Sequence, residues 1–191
     1  MKTTDGDSAA DRYAARVDAV LAQRTRLRGP QPPGDLFAGL PSDHPLIKAD
    51  PHRPLDPNLE IIASYIQPDD VIVDIGGGAG RISLPLAMRC REVINVEPSI
   101  AMGAGFRANA DQAGISNARL VEADWLTVDP PAGTVALVNH VTYLTREIVP
   151  FHSQPAHTPS LCPRMRQVLC LVRPTRPDAS RDPAVRCRHL Y

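Results

Sequence analysis

The run Val71-Ile-Val-Asp-Ile-Gly-Gly-Gly-Ala-Gly-Arg81 constrains the possible fold of this chain more than any other stretch. Three branched apolar residues lead into Asp74. Four glycines then fall within five positions (Gly76, Gly77, Gly78 and Gly80), and an apolar run from Ile82 to Met88 follows. The pattern predicts a buried strand, a tight turn and a helix to about Arg89. Without Cβ atoms, such a turn lets backbone N–H groups approach a ligand closely, and the helix start adds unpaired donors. A strand–turn–helix unit of this kind belongs to an α/β sheet, whose ligands bind outside the carboxyl ends of the strands.

The rest of the chain repeats the alternation. Ser8 with Asp11 is a capping-box-like start, and Tyr13, Val17, Val20 and Leu21 recur at helical spacing, so a helix is expected from about Ala9 to Leu27. Its apolar stripe is narrow, which suits a cap or lid on the main domain. Residues 30–57 form a proline-rich connector that Leu36, Phe37, Leu40, Leu46 and Ile47 could anchor. Asp56-Pro57 is a helix start, with Leu59, Ile62, Ala63 and Ile66 on one face. Further strands are expected at 92–96, 118–122 and 134–138, with a helix from Pro98 to Ala113. Strands that are nearly all apolar and alternate with helices predict a parallel sheet covered on both faces.

Composition excludes several classes. The formal net charge is zero, so whole-chain electrostatics make no case for nucleic acid or an anionic membrane. No apolar run approaches the ~18 residues of a membrane-spanning helix, and the polar N-terminus does not read as a signal peptide. The four cysteines show no CxxC spacing. A reducing, cytoplasmic compartment is therefore expected. His152, His157, Cys162 and Cys170 match no defensible zinc spacing, and no metal is expected.

The glycine turn alone leaves the ligand open. A nicotinamide fingerprint needs GxGxxG, but counting from Gly76 places Arg81 at the third glycine. What stands here is Asp74-x-Gly76-x-Gly78-x-Gly80, which resembles motif I of the class I S-adenosylmethionine-dependent methyltransferases. The resemblance covers about Val71 to Tyr143. Residues 49–58 add a fainter likeness to a bacterial subgroup of methyltransferases without a settled substrate. The resemblance implies a Rossmann-like, doubly wound, mostly parallel sheet, of which four strands are recognisable in the order 3-2-1-4. It implies S-adenosylmethionine as cofactor, held by Asp74, Gly76, Gly78, Gly80, Glu97, Asp124, Trp125 and Asn139. Glu97 would accept the ribose hydroxyls, Asp124 the adenine amino group, and Trp125 could wall the adenine. Asn139 and His140 end the fourth strand, where the family lines its methyl-transfer site. His140, as base, and Tyr143 are the catalytic candidates, and Tyr143 and Tyr13 could line the pocket.

The chain thus divides into an N-terminal helix and connector (1–57), a cofactor-binding core (58–151) and a tail (152–191). The tail holds seven arginines, six prolines and three cysteines, with only Asp178 and Asp182 acidic. Leu161, Met165, Val168, Leu169 and Val172 suggest at most a short helix, and the fourth strand is expected to be left as an open edge. That composition is what an out-of-frame translation of a GC-rich gene would give, so a truncated or frameshifted product is expected. The function expected is methyl transfer to a small-molecule acceptor, with neither nucleic acid nor membrane as partner and the oligomeric state open. The alternatives are a non-catalytic fragment that at most binds S-adenosylmethionine, and an NAD(P)-dependent oxidoreductase.

Overall fold

The computed structural model describes residues 8–30, 34–153 and 167–171. Helix α1 (Ala9–Arg28) opens on Ser8, whose hydroxyl accepts from the Asp11 N–H while the Asp11 carboxylate accepts from the Ser8 N–H. Helix α2 (Pro57–Ala63) is capped by Asp56, which accepts from the N–H groups of Asn58 and Leu59. Then come β1 (Val71–Ile75), α3 (Ser83–Ala87), β2 (Glu92–Val96), α4 (Ile100–Gln112), β3 (Ala118–Val121) and β4 (Val135–Asn139). A 3₁₀ turn (Thr142–Leu144), α5 (Ile148–Ser153) and β5 (Gln167–Leu171) follow.

The strands lie in one sheet, ordered β3-β2-β1-β4-β5, with every pairing parallel. The expected 3-2-1-4 order is present. The expectation of an open edge at the fourth strand is corrected, because β5 pairs along β4 from Gln167 opposite Val135 to Leu171 opposite Asn139. The short helix expected around Val168 is likewise a strand. A five-residue apolar run does not distinguish the two periods by itself, and an available sheet edge decides it. The His152, His157, Cys162 and Cys170 side chains, dismissed above as a zinc set, lie outside the described ones. No helix among the described residues is long and apolar enough to cross a membrane.

Side-chain alternation sorts the core. On one face, Ile72, Val93, Val135 and Leu137 pack with Leu59 and Ile62 of α2, Leu84 and Leu86 of α3, and Phe106 of α4. On the other, Val71, Val73, Ile75, Ile94, Val96, Ala136 and Val138 meet Trp125 and Phe151. Burial of each large apolar side chain stabilises by ~1.5–3 kcal/mol. The first face changes character toward the carboxyl ends of its strands. Ile72 gives way to Asp74, Val93 to Asn95 and then Glu97, and Leu137 to Asn139. The pleat therefore carries polar groups to the rim on the same side as the glycine turn.

The connector runs back over that rim. Phe37 and Leu40 pack against Ile47, Ala79 and Met102. Helix α1 contacts α5, buries Val17, and donates a hydrogen bond from the Tyr13 hydroxyl to the Thr142 carbonyl. Asp18 pairs with Arg146 at 3.0 Å. The N-terminal segment thus caps the main domain, as its sequence suggests.

Candidate functional site

Left-handed residues alternate along the glycine turn. Gly76, Gly78 and Gly80 have φ of 65°, 56° and 79°, a region that L side chains rarely adopt. Gly76 first extends the ladder, its N–H donating to the Val96 carbonyl at 2.7 Å. Gly77 rests on the strands: a Cβ there would lie 2.1 Å from Asp74 Oδ2 and 2.7 Å from Asn95 Oδ1. At Gly78 a Cβ would meet only Met102 Sδ, at 3.9 Å, because that side of the turn opens into a cavity.

Glu97 stands at the end of β2 and is buried. One carboxylate oxygen accepts from the Gly78 N–H at 2.9 Å, the other from the Ser99 N–H at 2.8 Å. Burial raises its pKa, the two N–H bonds work against that, and the nearby Asp35 carboxylate raises it further. Each oxygen retains capacity for a second donor. Asp74 is wholly enclosed beneath the turn, and burial pushes its pKa up to about 7. The Ser83 hydroxyl offsets part of this and the Glu97 charge adds to it. The Ser83 effect is one of proximity, since neither Asp74 Oδ2 nor Ser83 Oγ has a hydrogen-bond partner.

The cavity is open and encloses about 1380 Å³. Gly76, Gly78, Glu97, Asp124, Trp125, Asn139, His140 and Tyr143 all line it. Asp74 underlies the turn, and Gly80 is turned inward, where a Cβ would strike Leu84 and Phe106 at 2.6–2.7 Å. Asp124 is exposed, one oxygen accepting from the Leu126 N–H at 2.9 Å. Trp125 is held more as a core residue than as an open wall: it is buried and its indole N–H donates to the Phe151 carbonyl at 3.0 Å. Asn139 Oδ1 is buried without a partner. His140 is the one described non-glycine residue with positive φ, at 57°. Its ring sits edge-on to Tyr143 with centroids 6.2 Å apart.

Several site residues were not legible in the sequence. Asp35, from the connector, accepts from Ser99 Oγ at 3.0 Å and from the Ala101 N–H at 2.9 Å, so it sits on the start of α4 beside Glu97. Asn109 donates to the carbonyls of Ile47 and Ala79 and accepts from the Ala49 N–H. It ties the connector to the glycine turn. Asn95 clasps the turn from beneath. Ile100 directly follows the Glu97-Pro-Ser corner and is 70% exposed at the cavity. Only the last carried a local signal, an apolar residue just after the strand-end acid. The others act across 17 to 66 residues of sequence.

A sequence model of the family described as "Methyltransferase domain" matches residues 72–169. Among curated proteins, a 23S rRNA (uracil(1939)-C(5))-methyltransferase from Aeromonas hydrophila is 46% identical over 56 residues, 29% of this chain and 13% of that protein. The corresponding Xanthomonas campestris enzyme is 43% identical over 63 residues, 33% of this chain and 14% of that protein. The chain therefore spans a small part of the relatives it matches. Among solved structures, the YcgJ protein of Bacillus subtilis superposes with a TM-score of 0.52 at 16% identity, covering 59% of this chain and 49% of that one. A dimethyladenosine transferase from Plasmodium falciparum gives 0.52 at 20% identity, covering 62% and 42%. These likenesses show the fold.

The exclusion of nucleic acid as a partner is corrected by the same findings. The matched relatives are named as rRNA methyltransferases, so the exclusion does not stand. A zero net charge averages over the whole chain and says nothing about where an acceptor docks.

Proposed function

We propose that this chain, which belongs to the methyltransferase-domain family, binds S-adenosylmethionine in the cavity over the glycine turn and transfers its methyl group to an acceptor at the β4 side of the rim. The observation that carries the reading is at Gly78. Its N–H is held by Glu97, and the space where its Cβ would stand is open cavity.

The residues present fit that cofactor. Glu97 keeps acceptor capacity for two vicinal hydroxyls. Asp124 supplies a carboxylate for an amino group, and Ile100 an exposed apolar surface for a flat ring. Asn139 Oδ1 lacks a donor, and an unsatisfied buried acceptor costs about 1–3 kcal/mol. When bound, the cofactor supplies a methyl group already activated by the sulfonium charge. The chain's work is then to hold the acceptor in line and keep water out. Tyr143 lines the approach. His140 would take the acceptor's proton where one must be lost. Among the described residues no thiol lines the cavity. Cys90 is buried, which pushes its thiol up to about 11, and cysteine nucleophilic catalysis forms no part of the proposal.

Calorimetry with S-adenosylmethionine and S-adenosylhomocysteine tests the binding half. Failure of both to bind would sink it. Transfer of labelled methyl tests the catalytic half, with rRNA transcripts as the first acceptors because the relatives are rRNA enzymes. Binding with no transfer to any acceptor would favour the non-catalytic reading instead.

A further inference from the structure

We infer that Asn95 is a positioning residue for the cofactor turn, which it and Glu97 hold in the one orientation that presents Gly78 to the cavity. The inference rests on the cofactor assignment above. Asn95 is fully buried on β2, opposite Asp74 of β1. Its side-chain carbonyl accepts from the Gly77 N–H at 3.2 Å, and its amide donates to the Gly78 carbonyl at 2.8 Å. Two positions on, across one pleat and therefore on the same face, Glu97 accepts from the Gly78 N–H at 2.9 Å. Both backbone polar groups of Gly78 are thus taken by side chains of β2 and of the residue that directly follows it.

A primary amide is suited to this task. It offers a donor and an acceptor in one plane, so it can replace the partner strand that a turn lacks. Leucine at this position would fill the space and satisfy neither group. Aspartate would keep the acceptor for Gly77, lose the donor for Gly78, and add a third carboxylate beside Asp74 and Glu97. A glycine turn without such a clasp has many accessible conformations, because glycine occupies left- and right-handed regions almost equally. Asn95 selects the left-handed state of Gly78 before any ligand arrives, and binding then proceeds without the entropy cost of ordering the turn.

The test uses the full chain with Asn95→Leu, Asn95→Asp and, as a control, Val93→Ala, which thins the same strand two positions away without touching the turn. Amide hydrogen exchange at Gly77 and Gly78 is measured without ligand, and S-adenosylmethionine affinity by calorimetry. Asn95→Leu should speed exchange at both glycines at least tenfold and weaken binding at least tenfold. Val93→Ala should leave both within about twofold even where its Tm falls as far. Asn95→Asp should keep Gly77 protected and weaken binding, and it decides the matter if the leucine variant does not fold. Native-like exchange and affinity in the folded Asn95 variants would overturn the inference, as would equal effects in Val93→Ala. If the wild-type chain binds no S-adenosylmethionine, the cofactor assignment fails, while the exchange measurement still reports whether Asn95 holds the turn.

Discussion

The β2 side and the β4 side of the rim are built on different terms. At the end of β2, Glu97 and Asn95 are buried and engaged by backbone partners, and Asp35 and Ser99 close the corner from the connector and α4. At the end of β4, Asn139 Oδ1 has no partner, His140 sits at φ 57°, and Tyr143 is half exposed. The first arrangement is complete without a ligand. The second carries an unsatisfied group and a sparsely populated backbone state, features that concentrate where chemistry or a partner completes the structure. One rim thus sets a β2 corner held by backbone partners beside a β4 end that carries an unsatisfied acceptor and a left-handed residue.

The strongest way to break this contrast is at Gly77. Gly77→Ala would drive a methyl group into the Asp74 carboxylate and the Asn95 side chain, and should weaken S-adenosylmethionine binding by at least a hundredfold in calorimetry. Retained affinity would show that the turn does not hold the cofactor. Next is Glu97→Ala, which removes the acceptor for two N–H groups and both proposed hydroxyl partners. It should cost about two to three orders of magnitude in affinity, roughly 3–4 kcal/mol, whereas the conservative Asp124→Asn should cost less.

Asp74→Asn is read out in stability. A carboxyl group whose folded pKa is raised to about 7 is held neutral without penalty at low pH. The folded state loses stability as pH climbs from the unfolded value near 3.8 toward 7, and no further above it. The asparagine variant should therefore match wild type near pH 4 and exceed it at pH 8, by at most about 4 kcal/mol. Chemical denaturation at the two pH values gives the answer, and an equal difference at both would refute the assigned burial effect.

The smallest effect belongs to the β4 side. His140→Gly should relieve the left-handed backbone and raise stability by about 1 kcal/mol or less, with cofactor affinity within twofold. Methyl transfer should fall if His140 takes the acceptor's proton. Full activity in this variant would remove His140 from the chemistry.

What the sequence revealed follows the same line. The 3-2-1-4 order came from the family resemblance that the sequence motifs carry, whereas the glycine turn and the place of Glu97 were legible because each is carried by a local pattern, spacing or an acid at a strand end. Asp56 and Ser8 were legible as caps for the same reason. Asp35, Asn95 and Asn109 were not, because nothing near them in sequence signals what they hold. A solitary asparagine in an apolar strand or helix reads as a minor irregularity until the fold brings a bare turn against it. The fifth strand was missed because Gln167–Leu171 is brief and flanked by prolines and arginines, and its strand state is decided by the β4 edge. Nucleic acid was excluded on net charge and on the absence of an Asn/Asp-Pro-Pro-aromatic pattern at Asn139-His140-Val141-Thr142, and neither reports on where an acceptor docks.

Helix α1 carries a kinetic consequence. Among its described residues only Val17 is fully buried, and its contacts include the Tyr13 hydroxyl bond and the exposed Asp18–Arg146 pair. An exposed pair contributes ~0–1 kcal/mol. Detaching α1 should therefore cost less than melting the sheet, and it removes the part of the cavity wall that Leu21 forms. Such sub-global opening precedes global unfolding in native-state exchange. The amides of α1 should therefore exchange in an early phase, separate from those of the sheet.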